Sequence, residues 1–188
     1  TADDAVDGTE DGRSELGAIY ALDLVDDGNG GFKFQVLNHK TFKGGTGSTP
    51  ALSADGQRLY VSDNEGHVIA LDTELAEVWR LDVGEPLVGS ITVSADNDEL
   101  YVVTASDVIQ LIDNGDQGSR AWTAELTGFD GYANVDVQSN GLTATVTANG
   151  VVIMIGGGKK LFGKTLMLHV GMGLLDRETG KLSYFTEG

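Results

Sequence analysis

Short apolar runs alternate with tight-turn pairs along most of this chain, and one version of that pattern is written three times. Pro50-Ala51-Leu52-Ser53-Ala54-Asp55-Gly56 leads into Leu59-Tyr60-Val61. Ile91-Thr92-Val93-Ser94-Ala95-Asp96-Asn97 leads into Leu100-Tyr101-Val102, and Ala144-Thr145-Val146-Thr147-Ala148-Asn149-Gly150 leads into Val152-Ile153-Met154. A strand-length apolar run, an Asx-Gly type turn that accommodates φ > 0, and a second apolar run predict a β-hairpin in each copy. Around these hairpins the pattern predicts further strands. The first repeat reads as Thr49 to Ser53, Arg58 to Ser62, His67 to Asp72 and Glu77 to Leu81. The second reads as Ser90 to Ser94, Glu99 to Thr104, Val108 to Asp113 and Arg120 to Glu125. The third reads as Thr143 to Thr147, Val151 to Ile155, Thr165 to Leu175 and Lys181 to Phe185. Ahead of them, Ala18 to Leu24 and the alternating Phe32 to Leu37 predict two strands joined by the turn Asp26 to Gly31.

Four strands per repeat, at a period of about 40 residues, is the signature of a β-propeller blade. The expected fold is therefore all-β: four-stranded antiparallel blades, about three and a half of them, forming part of a larger propeller. Residues 1–15 are acidic and poor in apolar side chains, so they read as a flexible tail or loop, and 16–188 as the propeller segment. Within it we expect a half blade over 16–44, blades over 45–86, 87–128 and 142–188, and an insertion over 129–141 that lengthens the second interval. The half blade holds only the last two strands of a unit, so the missing blades are expected on residues outside this chain. A small irregular propeller or open sheet stack, an intact but degenerate sensor domain, and a domain that assembles with a second copy are the alternatives to that count.

In each unit the third strand closes on an aspartate: Asp23, Asp72, Asp113 and Asp176. An aromatic follows in the next strand, as Trp79, Trp122 and Tyr184, with Phe32 or Phe34 in the leading unit. Together with Ile19-Tyr20-Ala21-Leu22-Asp23, Val68-Ile69-Ala70-Leu71-Asp72 and Thr179-Gly180-Lys181, these residues resemble the repeat of pyrroloquinoline-quinone-type (quinoprotein-like) propellers. The resemblance covers roughly residues 16 to 186 and extends to the outer-membrane assembly propeller lipoproteins of that family. It implies that the aspartate caps the turn between the two outer strands and that the aromatic packs between neighbouring blades. It also implies a periplasmic or extracellular location. Only the last unit keeps Thr179-Gly180-Lys181. The unit at Asp72 is one residue short before Trp79, and that at Asp113 one residue long before Trp122.

Twelve Lys and Arg against 29 Asp and Glu give a net charge of −17, a surface that repels nucleic acid and anionic lipid and so disfavours both as partners. With no cysteine, disulfides, thiolate-bound zinc and thiol catalysis are excluded. No stretch has the length of a transmembrane span.

Gly158-Lys159-Lys160-Leu161-Phe162-Gly163-Lys164-Thr165 satisfies the P-loop pattern. The stretch after Thr165 carries Gly171 and Gly173 and no amphipathic helix pattern, and too little chain remains for a parallel α/β sheet, so the segment reads instead as a loop between blade strands. The acidic turns Asp26 to Gly31, Asp63 to Gly66 and Asp113 to Gly118 lack the full ligand alternation of a calcium loop. His39, His67 and His169 are isolated, so no metal site is expected. No catalytic constellation is assigned.

The insertion and the loop Gly156 to Gly163 exceed what blades require, and loops on one propeller face are where binding is concentrated. Tyr132 and Asn134 in the first, and Lys159, Lys160, Phe162 and Lys164 in and beside the second, are the candidate binding residues. The expected function is a non-catalytic binding or scaffolding propeller, with a protein or small ligand at its face and no cofactor. The resemblance also admits an alternative, a segment of a quinone-dependent alcohol or sugar dehydrogenase carrying pyrroloquinoline quinone and calcium.

Overall fold

A computed structural model describes residues 15–87, 89–95, 99–126, 136–138, 143–161 and 164–187. The leading sheet is a hairpin of β1 (Leu16–Asp26) and β2 (Phe32–Lys43). The next is a four-stranded antiparallel sheet of β3 (Ala51–Leu52), β4 (Leu59–Ser62), β5 (His67–Leu71) and β6 (Glu77–Asp82). A second consists of β7 (Thr92–Val93), β8 (Glu99–Val103), β9 (Asp107–Asp113) and β10 (Gly118–Glu125). The last joins β11 (Asp136–Gln138), β12 (Thr145–Thr147), β13 (Gly150–Leu161), β14 (Lys164–Leu175) and β15 (Leu182–Glu187). The fold is all-β and built of blades, as the repeat predicts. No described helix is long and apolar enough to cross a membrane.

The third strands of the two middle sheets, β5 and β9, are buried on both faces, which is why each reads as a nearly continuous apolar run. In β5, Val68 and Ala70 point with Tyr60 and Trp79 towards the following sheet, where they meet Ile109 and Leu111. Ile69 and Leu71 point the other way, to Ile19 and Phe42 of the hairpin. In β9 the alternation repeats: Val108 packs with Tyr101 against Val151, Ile153 and Leu175 of the last sheet. The core is thus a series of seams between successive sheets. Burying a Leu, Ile or Phe side chain in such a seam stabilises by roughly 1.5–3 kcal/mol.

Two expectations are corrected by the fold. Of the expected loop Gly156 to Gly163, the described residues Gly156 to Leu161 are strand: β13 runs on through Gly156–Gly158 to Leu161, paired with β14 as Gly156↔Val170, Gly157↔His169 and Lys160↔Thr165. A register shift between Gly157 and Gly158 carries the glycines within the ladder. The insertion over 129–141 is also not all connection, since its Asp136–Gln138 is a strand, β11. The acidic stretch 1–14, the candidates Tyr132 and Asn134, and Phe162 lie outside the described residues.

Candidate binding surface and the seams that hold it

One irregularity recurs in all four sheets. The ladder between third and fourth strands slips immediately after Ala21↔Asn38, after Ala70↔Trp79, at Gln110↔Trp122 and after Leu174↔Tyr184. A bulge increases local twist and re-aims the side chain beside it, and here that side chain crosses to the next sheet. Trp79 donates its Nε1–H to Asp113 Oδ1 at 3.0 Å, and its ring lies over Gly118, where an added Cβ would come within 2.7 Å. Trp122 donates to the Arg177 carbonyl at 2.8 Å, and its ring lies over Gly180 at 2.6 Å on the same measure. Asn38 Nδ2 donates to the Glu74 carbonyl, again in the turn of the next sheet. Tyr184 holds the same register position in the last sheet.

The aromatic positions Trp79 and Trp122 therefore stand where the repeat places them, but Phe32 and Phe34 do not: both are 73% exposed. Strand β1 continues past Asp23 to Asp26, so the residue opposite Ala21 is Asn38 rather than a phenylalanine near the hairpin tip. For the same reason Asp23 caps no turn. Its carboxylate accepts the adjacent Leu24 N–H at 2.8 Å, while Asp27 closes the turn by accepting from Asn29 N at 2.8 Å and Gly31 N at 3.0 Å. Those two amides hold the Asp27 carboxyl below the usual carboxylate range.

Asp72 caps its turn in the same way, accepting from Glu74 N at 2.9 Å and Ala76 N at 2.8 Å. Asp176 accepts the Thr179 hydroxyl at 2.7 Å and the Thr179 and Glu178 amides, which lower its pKa in that order. Asp113 does more. Besides the Gly115 amide and the Trp79 indole on Oδ1, its Oδ2 accepts the Tyr60 hydroxyl at 2.7 Å, with Arg58 Nε 3.9 Å away. Gly180 has φ of 68°, and the same left-handed turn conformation is taken by Leu75 (φ 63°) in the unit one residue short. A left-handed leucine costs roughly 1–2 kcal/mol, and burial of its side chain against Ile19 and Phe42 offsets that cost.

The last seam also carries a polar network. Tyr101 donates to Glu99 at 2.6 Å and accepts from Gln110, while Arg177 donates to the same Glu99 oxygen at 2.7 Å and to Ser94 Oγ at 2.8 Å. Burial first, and the carboxylate beside it second, push the Tyr101 phenol up to about 12. Beside this network a cavity of about 450 Å³ opens between β7 and β12, lined by Thr92, Thr145, Thr147 and Arg177 among others. The Thr92 and Thr147 hydroxyls already donate to the Ala144 and Gly150 carbonyls.

Among the described residues, Asp63, Glu65 and His67 form a group whose potential ligand atoms lie within 4.8 Å of one another. Their geometry serves the turn instead. Buried Asp63 accepts the Glu65 and His67 amides on Oδ1, and its Oδ2 lies 2.8 Å from His67 Nδ1 and 3.2 Å from Arg80. The arginine guanidinium already supplies the cation. This group does not fit the calcium-and-quinone centre that the dehydrogenase alternative requires.

What exceeds the blade repeat is a three-stranded extension. Strands β13 and β14 have 12 residues each, against 4 and 5 in β4 and β5. At roughly 3.4 Å per residue the surplus is a ribbon of about 25 Å. The short strand β11 lies along it in register Asp136↔Gly158 and Gln138↔Gly156, next to the edge residues that β12 pairs lower down. The two candidate regions, separate in sequence, are therefore one structure: the insertion supplies an edge strand to the ribbon that carries Lys159, Lys160 and Lys164. The extension emerges on the side of the connections between second and third strands, the side that also carries the Asp63–His67 turn. No periodicity in the insertion signals β11. The pairing is non-local and falls on glycines, which have no strand propensity of their own.

A family model described as Outer membrane protein assembly factor BamB matches residues 4–182. Among solved structures, BamB from Moraxella catarrhalis is similar with a TM-score of 0.54 and 16% identity, over 92% of this chain and 51% of that one. The β-propeller domain of Cps50 (Swd1) from Myceliophteria thermophila is similar with a TM-score of 0.52 and 13% identity, over 75% of this chain and 40% of that one. This chain thus spans about half the length of the BamB structure it matches. No curated protein sequence matches it.

Proposed function

Because the chain belongs to the family of outer membrane protein assembly factor BamB, we propose that it is a non-catalytic scaffold in the periplasm that binds a protein partner through its loop face. The observation that carries this is the β11–β13–β14 extension, which no blade needs and which brings both candidate binding regions together. Sheets locked by bulge-directed hydrogen bonds form a rigid base, and a rigid base lowers the entropy cost of presenting a ribbon to a partner. Lys159, Lys160 and Lys164 give that ribbon a positive character on a chain of net charge −17, which suits an acidic segment of the partner. No cofactor is part of this reading. The blades that complete the ring come from outside these 188 residues, in keeping with the half-length match to BamB.

A photo-crosslinking residue at Lys160, in cells that make the protein, tests the surface. A discrete adduct with an envelope protein is expected, lost when Lys159 and Lys164 are changed to Glu and absent with the probe at Lys33 on the leading hairpin. Equal labelling from both positions overturns the assignment. A quinone-dependent absorbance change, or dye-linked alcohol oxidation by the purified protein, overturns the non-catalytic reading.

A further inference from the structure

Asparagine followed by glycine occurs four times in this chain, at Asn29, Asn114, Asn140 and Asn149. In such a pair the glycine nitrogen can reach the side-chain amide before it, because glycine puts no side chain in the way and leaves the backbone free to turn. We propose that Asn29–Gly30, in the loop of the leading hairpin, is a site of spontaneous covalent modification that converts to aspartate and isoaspartate, while the fold holds Asn114–Gly115 and Asn149–Gly150 unreactive. Asn140–Gly141 lies outside the described residues.

The loop around Asn29 is closed by its own polar groups. Gly28 N–H donates to Asp26 at 2.7 Å, and the Asn29 and Gly31 N–H groups donate to Asp27 at 2.8 and 3.0 Å. Asp27 N–H in turn donates to the Gly31 carbonyl at 3.0 Å. Gly30 is left out. Neither its N–H nor the Asn29 side-chain amide has a hydrogen-bond partner among the described residues. A Cβ added to Gly28 or Gly30 would meet nothing within 4 Å, so the segment can rotate without a clash.

At Asn114 both reacting groups are tied down. Gly115 N–H donates to Asp113 at 2.8 Å, and Asn114 Nδ2 donates to Ser119 Oγ at 2.9 Å. At Asn149 the ladder fixes the nitrogen instead: Gly150 is buried, opens β13 opposite Thr147, and lies against the Leu175 carbonyl. All three asparagines are exposed, so hydrogen bonding and the ladder separate them, not access.

The reaction is a hydrolysis. Hydroxide takes the Gly30 amide proton, and the nitrogen attacks Cγ of Asn29. A carbon–nitrogen bond forms to close a five-membered succinimide. The bond to the side-chain nitrogen breaks, and ammonia leaves with a proton from water, which regenerates hydroxide. Water then opens the ring. Attack at Cγ leaves aspartate, and attack at the main-chain carbonyl leaves isoaspartate, whose main chain runs through the former side chain. Either product exchanges an amide for a carboxylate and adds one negative charge beside Asp26 and Asp27.

Incubating the folded chain and a guanidinium-unfolded sample in mildly alkaline buffer, then mapping peptides with fragment ions that localise each conversion, tests this. Folding should change the Asn29 rate by no more than about threefold, and should slow Asn114 and Asn149 at least about tenfold. The Asn29 rate should rise in proportion to hydroxide, and its peptide should accept methyl groups from an isoaspartyl carboxyl methyltransferase. Asn29→Gln, whose longer side chain closes a six-membered ring far more slowly, should leave that peptide unconverted. Conversion at Asn29 no faster than at Asn114 and Asn149 in the folded chain, or slowed by folding as strongly as theirs, overturns the proposal.

Discussion

Replacing Asp113 with alanine isolates the chemistry that ties one blade to the next. Its carboxylate receives the indole N–H of Trp79 at 3.0 Å and the hydroxyl of Tyr60 at 2.7 Å, both from the preceding sheet, and the Gly115 amide from its own turn. Trp79 and Tyr60 are buried, and the Asp113 side chain is 5% exposed. A hydrogen bond to a charged acceptor is worth about 1.5–3 kcal/mol, and withdrawing an acceptor from a buried donor adds desolvation cost. Relief of the carboxylate's own desolvation offsets part of this, leaving a loss of about 3 kcal/mol. With a urea slope of about 2–3 kcal/mol/M for a chain of this size, the unfolding midpoint should fall by about 1–1.5 M. The same substitution at Asp176, whose carboxylate is bonded within its own turn, should shift the midpoint much less. A double-mutant cycle of Asp113→Ala with Trp79→Phe should show coupling of about 1–2 kcal/mol. A loss under about 1 kcal/mol, no coupling to Trp79, or equal effects at Asp113 and Asp176 would show that the seam is not held by this carboxylate.

Gly118→Ala should destabilise by about 1–3 kcal/mol through overpacking against the Trp79 ring. Gly180→Ala should cost more, since left-handed strain at φ 68° adds to the clash with Trp122; thermal melts of the two variants check the order. Tyr101 holds its proton more tightly folded, at about 12, than unfolded, at about 10. Its stabilisation is therefore complete below about pH 10 and should decline by about 1–2 kcal/mol as pH rises to 12, a slope that Tyr101→Phe removes in urea titrations at stepped pH. The carboxyls of Asp27, Asp55 and Asp176 are depressed in the fold, each chiefly by a hydrogen bond from its own turn. Their contribution is present above about pH 4 and should disappear as pH falls through their lowered values, so Asp55→Asn should flatten the acid limb of the stability curve.

Blades and their strand order were legible because they rest on local, repeated signals: alternating apolar runs, Asx turns and an aspartate at a fixed place. What the sequence hid depends on register. Asn38 takes the part expected of Phe32 or Phe34 because β1 overshoots Asp23, and nothing in the composition of Val25-Asp26-Asp27 says whether a strand stops before or after it. Lys159 and Lys160 read as loop residues because Gly156-Gly157-Gly158 breaks every propensity rule for a strand, yet the ladder to β14 runs through them. The meeting of β11 with that ribbon is a contact between segments with no shared periodicity, and only the folded backbone reveals it.

The recurrent slip in register explains how the seams tolerate such different side chains. If the inter-blade contact were specified by residue type, Asn38, Trp79 and Trp122 could not share one role. They share it because each stands beside the bulge, opposite Ala21, Ala70 or Gln110, where the twist turns a side chain towards the next sheet and a donor N–H meets a turn acceptor. The aromatic adds packing area when the facing turn offers a glycine, as Gly118 and Gly180 do. Where the facing turn is the shortened one, closed by Ala76 and the left-handed Leu75, the smaller Asn38 stands in its place and Leu75 fills the seam. Side chain and facing turn therefore change together. A tryptophan introduced at Asn38 without a glycine opposite should destabilise the first seam, although it makes the sequence conform better to the repeat.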